Sequence, residues 1–194
     1  MYIIGKYYLF LDGGDTMETE NLILRRLQLD DAERVEELAS DYELAKTTLY
    51  IPHPYPKGSA VDFIKKVWQG EETGLVTFAI VEKESKSLIG VININQTLAF
   101  KRGELGYWIG RPYWGKGYGT EAAKAVMEYG FEELQLNKVF AGAFAENPGS
   151  WRIMEKIGMK HEGIWRQHGM RDGKFIDLTY YGLLREEYEE SNLK

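Results

Sequence analysis

The sequence predicts a mixed α/β domain of the α+β type, in which helices interrupt a largely antiparallel sheet. Short runs with strand character follow one another, with tight turns between them, in the middle and at the end of the chain. Segments with apolar residues at helical spacing separate these runs. No repeat or linker divides the chain, and its 194 residues suit one domain.

The N-terminal half is predicted to hold a strand, two helices and a proline-rich loop. Residues 22–27 have strand character, and Asp30 and Asp31 then open a helix. Three prolines at alternate positions keep residues 49–56 out of a helix interior, because each lacks a backbone N–H and restricts the residue before it. A second helix is predicted through residues 60–67. Three strands follow, at residues 75–81, 88–94 and 104–109.

The C-terminal half is predicted to alternate helices with strands and to end in a hairpin. A long helix covers residues 120–134, and residues 139–144 form a strand. Asn147 opens the next helix as its N-cap, with a proline at the first helical position, and Gly158 ends that helix. The two strands of the hairpin are residues 162–170 and 174–184. A solvated acidic segment follows them at residues 186–190.

Composition excludes several classes of protein and of site. Lys and Arg number 24 against 30 Asp and Glu, and the net charge of -6 argues against a nucleic-acid-binding surface. The chain has no cysteine, which excludes disulfides, cysteine-ligated zinc and a thiol nucleophile. No metal site is predicted, and the lack of cysteine is compatible with the reducing cytoplasm, where we expect the protein.

The start of the chain is apolar but does not read as a membrane segment. Residues 1–11 are far too few to span a bilayer, Lys6 interrupts them, and no basic region precedes them as in a signal peptide. We hypothesise that the natural start is Met17, because residues 13–16 can be back-translated into a purine-rich ribosome-binding sequence. The predicted boundaries are an N-terminal extension at 1–16 and one domain at 17–194.

Glycine alternates with other residues in the segment 114–121, directly after a predicted strand and directly before a helix. Gly115, Gly117 and Gly119 allow a tight turn with no Cβ in the way of a ligand. The unpaired N–H groups of the helix's first turn and the helix dipole favour an anion in front of them, and Lys116 adds a cation. The segment therefore predicts an anion-binding loop.

The spacing of these glycines restricts the kind of phosphate ligand. A Walker A loop needs Ser or Thr after Gly-Lys, but Gly117 follows Lys116. A dinucleotide fingerprint places G-x-G-x-x-G in the first βαβ unit, whereas this chain has G-x-G-x-G beyond its midpoint. A nucleotide-binding oxidoreductase is therefore disfavoured, while a tight structural turn without a ligand stays open on spacing alone.

The loop resembles the pyrophosphate-binding motif Q/R-x-x-G-x-G/A of the GNAT superfamily of N-acetyltransferases. Further segments are similar to its branch of ribosomal-protein N-terminal (Rim-type) acetyltransferases, and the similarity runs from Leu22 to Tyr188. Those segments are residues 107–109, 120–122, 147–150 and 155–159. Trp114 stands where the motif has Gln or Arg, which removes one side-chain contact with phosphate but keeps the backbone amides.

This resemblance implies a twisted sheet that splays between the fourth and fifth predicted strands, with acetyl-CoA as co-substrate in the opening. Backbone groups of Trp108 and Ile109 would pair with the pantetheine arm, Asn147 would contact it, and the amides of the loop would hold the pyrophosphate. The residues assigned to acetyl-CoA on this basis are Trp108, Ile109, Trp114, Gly115, Lys116, Gly117, Tyr118, Gly119, Thr120 and Asn147.

Acetyl transfer to an amine needs a neutral amine, a stabilised oxyanion and a leaving thiolate. Direct attack is the simpler scheme, because the chain has neither a cysteine nor a G-x-S-x-G motif. The resemblance makes Glu104 the candidate base, acting through a held water, and Ser150 the candidate proton donor to the thiolate. The alternatives are a solvent-facing glutamate, a serine in the first turn of a capped helix and, for Asn147, a cap alone.

The acceptor is less well defined than the donor. His53 and Tyr55 lie in the proline-rich loop, which borders the acceptor pocket in similar enzymes, and we predict that they line it. Either a protein N-terminal α-amine or a small-molecule amine fits, although an α-amine, with a pKa of about 8 against about 10.4 for lysine, loses its proton more easily. A non-catalytic acetyl-CoA-binding module is a further alternative. The expected partners are acetyl-CoA and an amine, without nucleic acid or membrane, and the chain is a monomer or homodimer.

Overall fold

The computed structural model describes residues 16–193, and its centre is one eight-stranded sheet with helices packed on both faces. The strands are β1 (Met17–Glu18), β2 (Leu22–Arg26), β3 (Leu75–Glu82), β4 (Leu88–Thr97), β5 (Arg102–Ile109), β6 (Lys138–Phe144), β7 (Lys160–Arg171) and β8 (Lys174–Leu184). The α-helices are α1 (Ala32–Ala39), α2 (Tyr42–Ala45), α3 (Ser59–Gly70), α4 (Tyr118–Glu132), α5 (Pro148–Lys156) and α6 (Arg185–Asn192).

The strand order is β1-β2-β3-β4-β5-β6-β8-β7, and every neighbouring pair except β5–β6 is antiparallel. This arrangement confirms the predicted mixed fold with a largely antiparallel sheet. The parallel pair requires a crossover, which α4 supplies between β5 and β6.

The sheet opens between β5 and β6. These strands pair only from Arg102, opposite Lys138, to Glu104, opposite Phe140, although both continue for several residues beyond. The splay predicted between these two strands is therefore confirmed. Glu104 is the last paired residue of β5, so it lies at the apex of a V-shaped opening.

Two apolar clusters cover the two faces of the sheet. Successive residues of a strand point to opposite faces, and Phe78 of β3 accordingly joins the cluster under α4 and α5, while Ala79 joins the cluster under α1 and α3. The cluster under α4 and α5 contains residues of both β5 and β6, so both walls of the opening rest on a packed core.

Several local features differ from the predictions. Helix α4 begins at Tyr118, two residues earlier than predicted, because Gly117 serves as its N-cap, and the short helix α2 has no counterpart among the predicted elements. Asn147 does precede α5, but its side chain makes no capping hydrogen bond within the described residues. The acidic end forms helix α6 and is not fully solvated as predicted, since Tyr188 is buried and stacks on Phe131 at 4.7 Å between ring centroids.

The hypothesis of an extension at residues 1–16 falls almost wholly on residues 1–15, which lie outside the described part of the chain. Met17 opens β1 and pairs with Leu24, and its side chain is buried. Over residues 16–193, none of the helices combines the length and apolar character needed to cross a membrane.

Candidate active site

The loop before α4 forms a concave, amide-lined surface. Gly115 and Gly117 have φ angles of 76° and 88°, a region that favours glycine, and a Cβ on either would meet no atom within 4 Å. No described side chain caps α4, and its first backbone bond runs from the Glu121 amide to the Gly117 carbonyl at 3.0 Å. The amides of residues 118–120 therefore point out of the helix end toward open space, as an anion site requires.

Gly119 has a different function from the other two glycines. A Cβ on it would lie 2.8 Å from Cδ1 of Ile153, so its hydrogen is what lets α4 and α5 pack closely beside the loop. Two glycines thus shape the loop, and the third sets the spacing of the helices that carry the site.

The Trp114 side chain is turned back toward β5. Its Nε1 donates to the Ile109 carbonyl at 2.6 Å, while about half of the ring surface is exposed, at 44%. The residue that replaces Gln or Arg of the motif therefore ties the start of the loop to the end of the strand.

Replacing Trp114 by phenylalanine is expected to loosen the loop. The lost hydrogen bond should reduce the free energy of unfolding by about 1 kcal/mol, measured by denaturant titration. Trp68→Phe is the matched control, because Trp68 Nε1 donates to the Leu27 carbonyl at 3.0 Å, away from the loop. Only the Trp114 variant should speed amide exchange at residues 115–120, and equal exchange in both variants would contradict the tethering role.

Three cations surround the loop region, but two of them were not predicted. Lys116 lies over the rings of Tyr113 and Tyr118, at 5.4 Å and 5.9 Å from their centroids, and does not line the pocket described below. Arg152 and Lys156, one turn apart on α5, do line it. Their i, i+4 spacing on one helix face is the signal in the sequence that could have identified them.

A pocket of about 390 Å³ runs from the loop across the end of β5 to α5 and to the segment after α2. This volume is within the range of small-molecule sites. It brings together most of the predicted cofactor residues and Ser150: Trp108, Ile109, Trp114, Gly115, Gly117, Tyr118, Gly119, Thr120, Asn147 and Ser150. The predicted residues outside its lining are Lys116, Glu104, His53 and Tyr55.

The backbone of β5 offers its unpaired groups to the opening at alternate residues. The Gly110 amide donates to the Ile89 carbonyl at 2.8 Å, so Gly110 and Ile89 form a hydrogen-bonded pair of the β4–β5 ladder. Because such pairs recur at every second residue of an antiparallel ladder, the backbone groups of Trp108 also point toward β4. The groups of Tyr107 and Ile109 face the opening instead, and the Ile109 carbonyl is the one bound by Trp114. The backbone groups that face the opening are thus those of Tyr107 and Ile109, so the pantetheine pairing assigned to Trp108 stays a prediction without support from this alternation, although Trp108 lines the pocket.

Ser150 and Tyr107 contact each other across the opening. The Tyr107 hydroxyl donates to the Ser150 carbonyl at 2.9 Å, and Ser150 Oγ donates to the Tyr107 hydroxyl at 3.2 Å. Burial raises the pKa of Tyr107 to about 12, so this hydroxyl keeps its proton at neutral pH. Both residues line the pocket. The sequence assigned no role to Tyr107, since only the fold brings it to α5.

Glu104 lies at the apex of the opening, on the face of β5 opposite to Tyr107. Although part of Glu104 is exposed, removal of water from its carboxyl raises the pKa of that group above its ordinary value, and the positive charges of Arg102 and His168 oppose the change. A carboxyl group that holds its proton more tightly is a stronger base once ionised.

None of residues 49–56 of the proline-rich loop lines the pocket, whereas two residues just before the loop, which were not predicted, do. His53 packs on Tyr42 with ring centroids 5.0 Å apart, and Tyr55 packs against the cluster under α1 and α3. Thr47 and Thr48 line the pocket instead. The acceptor-lining roles of His53 and Tyr55 stay predictions, without support from the pocket geometry.

Arg171 fixes this loop to the β7–β8 hairpin. Its Nη1 donates to the carbonyls of Thr48 and Ile51, at 3.1 Å and 2.7 Å.

Across residues 16–193, no group of three or more Asp, Glu or His side chains is arranged to hold a metal ion.

Comparison with known proteins agrees with this geometry. The family model for the acetyltransferase (GNAT) domain matches residues 21–160. The uncharacterized N-acetyltransferase p20 of Bacillus licheniformis is 32% identical over 90% of this chain and 98% of its own length. The putative ribosomal N-acetyltransferase YdaF of Bacillus subtilis is also 32% identical, over 88% of this chain and 94% of its own.

A solved structure shares this fold over most of the chain. The GNAT-family acetyltransferase from Bacillus anthracis superimposes with a TM-score of 0.80 at 29% identity, covering 89% of this chain and 99% of that one. The glycine loop, the splayed strands and the extent of these matches lead to one conclusion: the chain belongs to the GNAT family and is an N-acetyltransferase.

Proposed function

We propose that this enzyme transfers the acetyl group of acetyl-CoA directly to a primary amine, and that the amine is the α-amine of a protein N-terminus. The assignment of acetyl-CoA as the donor rests on the loop before α4. The left-handed glycines of this loop leave three helix-end amides directed at open space. A pyrophosphate fits this surface, because its charge and acceptor oxygens match the helix dipole and the amides.

The positive charge of α5 supports a bulky anionic ligand in the same pocket. Arg152 and Lys156 line the pocket from α5, in a protein whose net charge is -6. Local cations against an acidic background favour a ligand with several phosphate groups over a neutral one.

The residues at the opening support direct transfer. Glu104 takes the proton of the attacking amine, directly or through a water, as the nitrogen bonds to the acetyl carbonyl carbon. The carbon–sulfur bond breaks, and Ser150 Oγ gives a proton to the thiolate, whose conjugate acid has a pKa of about 8.5. Tyr107, with its pKa of about 12, positions Ser150 Oγ by accepting its hydrogen bond, and solvent returns the proton that Ser150 gives up and takes the one held by Glu104.

The N-terminal acceptor rests on two considerations. YdaF, which resembles this chain over nearly all of both lengths, carries the name of a putative ribosomal N-acetyltransferase. An α-amine is also the easier nucleophile, since its pKa of about 8 leaves a substantial neutral fraction at neutral pH.

A free-CoA release assay tests the proposal. We expect release with short peptides that carry a free α-amine, and little with the same peptides formylated at that position. Ser150→Ala should reduce kcat about tenfold or more while the calorimetric affinity for acetyl-CoA stays unchanged. Binding of acetyl-CoA without release for any peptide or small amine would instead identify a non-catalytic binding module.

A further inference from the structure

Two carboxylates tie the first turn of α4 to the N-terminal side of the sheet. Tyr118 and Glu121 lie three residues apart, on one face of that turn. The Tyr118 hydroxyl donates to Glu82 Oε1, at the end of β3. Glu121 Oε1 accepts from Thr19 Oγ1 at 2.6 Å and from the Asn21 amide at 2.7 Å, and its Oε2 accepts from Asn21 Nδ2 at 3.0 Å. We call residues 19–21, which connect β1 and β2, the N-terminal turn.

The N-terminal turn is itself fixed to β3. Lys83 Nζ donates to the Thr19 carbonyl at 2.6 Å and pairs with Glu18 at 3.1 Å. The Lys83 amide donates to the Asn21 carbonyl at 2.9 Å. Because Lys83 directly follows Glu82, both carboxylate contacts of α4 end on one connected unit, made of the N-terminal turn and the end of β3.

The Glu121 carboxylate stays ionised in this position. Burial acts to raise its pKa, but hydrogen bonds from Thr19 and Asn21 and the positive charge of Lys83 outweigh burial and lower it. A negative charge in the first turn interacts favourably with the helix dipole. The same charge would repel a pyrophosphate at the neighbouring amides if the side chain turned toward them. The contacts with the N-terminal turn hold the carboxylate away from that ligand, and neither Glu121 nor residues 19–21 line the pocket.

The amides of residues 118–120 have few other constraints. No described side chain caps α4, and a Cβ on Gly115 or Gly117 would meet no atom within 4 Å, so the loop before the helix is loosely packed. The directions of these amides therefore depend on the contacts made by Tyr118 and Glu121. Donors that are fixed before binding lose less conformational freedom when the ligand arrives, which increases affinity.

We propose that Glu121 is a positioning residue for the cofactor and that it acts through the N-terminal turn. By accepting hydrogen bonds from Thr19 and Asn21, it fixes the amides of residues 118–120 in the directions in which they bind pyrophosphate. This inference rests on the proposed function for the identity of the ligand. Since coupling between two sites is reciprocal, bound acetyl-CoA also stabilises the N-terminal turn.

Calorimetry with acetyl-CoA tests the positioning role. We expect Glu121→Ala to weaken binding about tenfold, and Asn21→Ala, which lies outside the pocket lining, to weaken it about threefold. Glu121→Gln should bind like the wild type, because an amide oxygen still accepts from Thr19 and from the Asn21 amide. In turnover assays the KM for acetyl-CoA should follow these affinities, while kcat at saturating acetyl-CoA stays unchanged.

Glu187→Ala is the control for a general loss of stability. Glu187 also lies in the first turn of a helix, accepts from the Leu184 amide at 2.9 Å and pairs with Lys160, but it belongs to α6. This variant should lower the melting temperature as Glu121→Ala does and bind acetyl-CoA like the wild type. Equal affinities in Glu121→Ala and Glu187→Ala would overturn the positioning role.

Amide hydrogen exchange tests the reciprocal effect without turnover. The Asn21 amide exchanges only when its bond to Glu121 opens, so saturating acetyl-CoA should slow its exchange in the wild type but not in Glu121→Ala. Unchanged exchange at Asn21 in the wild-type complex would contradict the coupling. A wild type that binds acetyl-CoA but releases no CoA with any amine would overturn the proposed function, and the positioning role would stand.

Discussion

Replacing Gly117 by alanine is expected to weaken acetyl-CoA binding roughly tenfold or more, measured by calorimetry. Gly117 has φ 88° and caps α4, and the space where its Cβ would go is open. Gly117 belongs to the loop that we assign to the pyrophosphate, so we expect a methyl group on it to interfere with the bound anion. The same change strains the backbone by about 1–2 kcal/mol, because a Cβ is unfavourable in the left-handed region.

Gly58 provides a closely matched control for this prediction. It caps α3 with φ 81° and ψ -7°, against 88° and -11° at Gly117, and a Cβ on it also meets nothing within 4 Å. Gly58→Ala should therefore lose a similar amount of stability in thermal unfolding while binding acetyl-CoA like the wild type. Equal affinities in the two variants would show that backbone strain is the whole effect and that the loop does not contact the ligand.

Replacing Glu104 by glutamine is expected to reduce kcat by about 10²–10³, the usual contribution of a general base, without changing acetyl-CoA affinity. The residue ends the paired part of β5 at the apex of the opening, outside the lining of the cofactor pocket. Glu162→Gln is the control, because Glu162 is also an exposed strand glutamate but pairs with Lys138, at 2.6 Å. Similar kcat values in both variants would make Glu104 an ordinary surface residue.

The pH dependence gives an independent check on Glu104. Its pKa is raised in the folded protein, so the carboxylate forms, and activity appears, at a higher pH than for an ordinary glutamate. The low-pH limb of kcat/KM should therefore lie above the ordinary carboxyl range and disappear in Glu104→Gln. A raised pKa also means that the carboxyl contributes stability at low pH that is lost as pH rises through that pKa. The glutamine variant should consequently be at least as stable as the wild type at neutral pH.

Local sequence signals predicted the fold well, and they singled out the glycine loop that the structure places at the pocket. The glycine spacing at Gly115 and Gly117 has a direct backbone meaning, because left-handed φ angles and close approach of a ligand both require glycine. The arrangement of the strands was implied by the family resemblance rather than by the residue pattern. The end of the β5–β6 pairing at Glu104 agrees with the splay that the resemblance implied. These features depend on short segments, which the sequence displays directly.

Features that depend on contacts between distant segments could not be predicted in this way. The direction of the Trp114 side chain, the Tyr107–Ser150 contact and the tether from Arg171 to the proline-rich loop each join residues whose meeting is set by packing. The short helix α2 carries too few residues for a periodic pattern. Burial of Tyr188 among acidic neighbours was missed for the same reason, since Phe131 lies far away in the sequence.

Amide hydrogen exchange with and without acetyl-CoA most directly tests whether the loop and the first turn of α4 hold the pyrophosphate. These amides have no described capping side chain, so in the free protein they should exchange quickly. We predict that saturating acetyl-CoA slows exchange at residues 117–120 and that NAD at the same concentration does not. Unchanged exchange at these residues in the acetyl-CoA complex, or slowing by NAD alone, would contradict the assignment of this loop as the acetyl-CoA site.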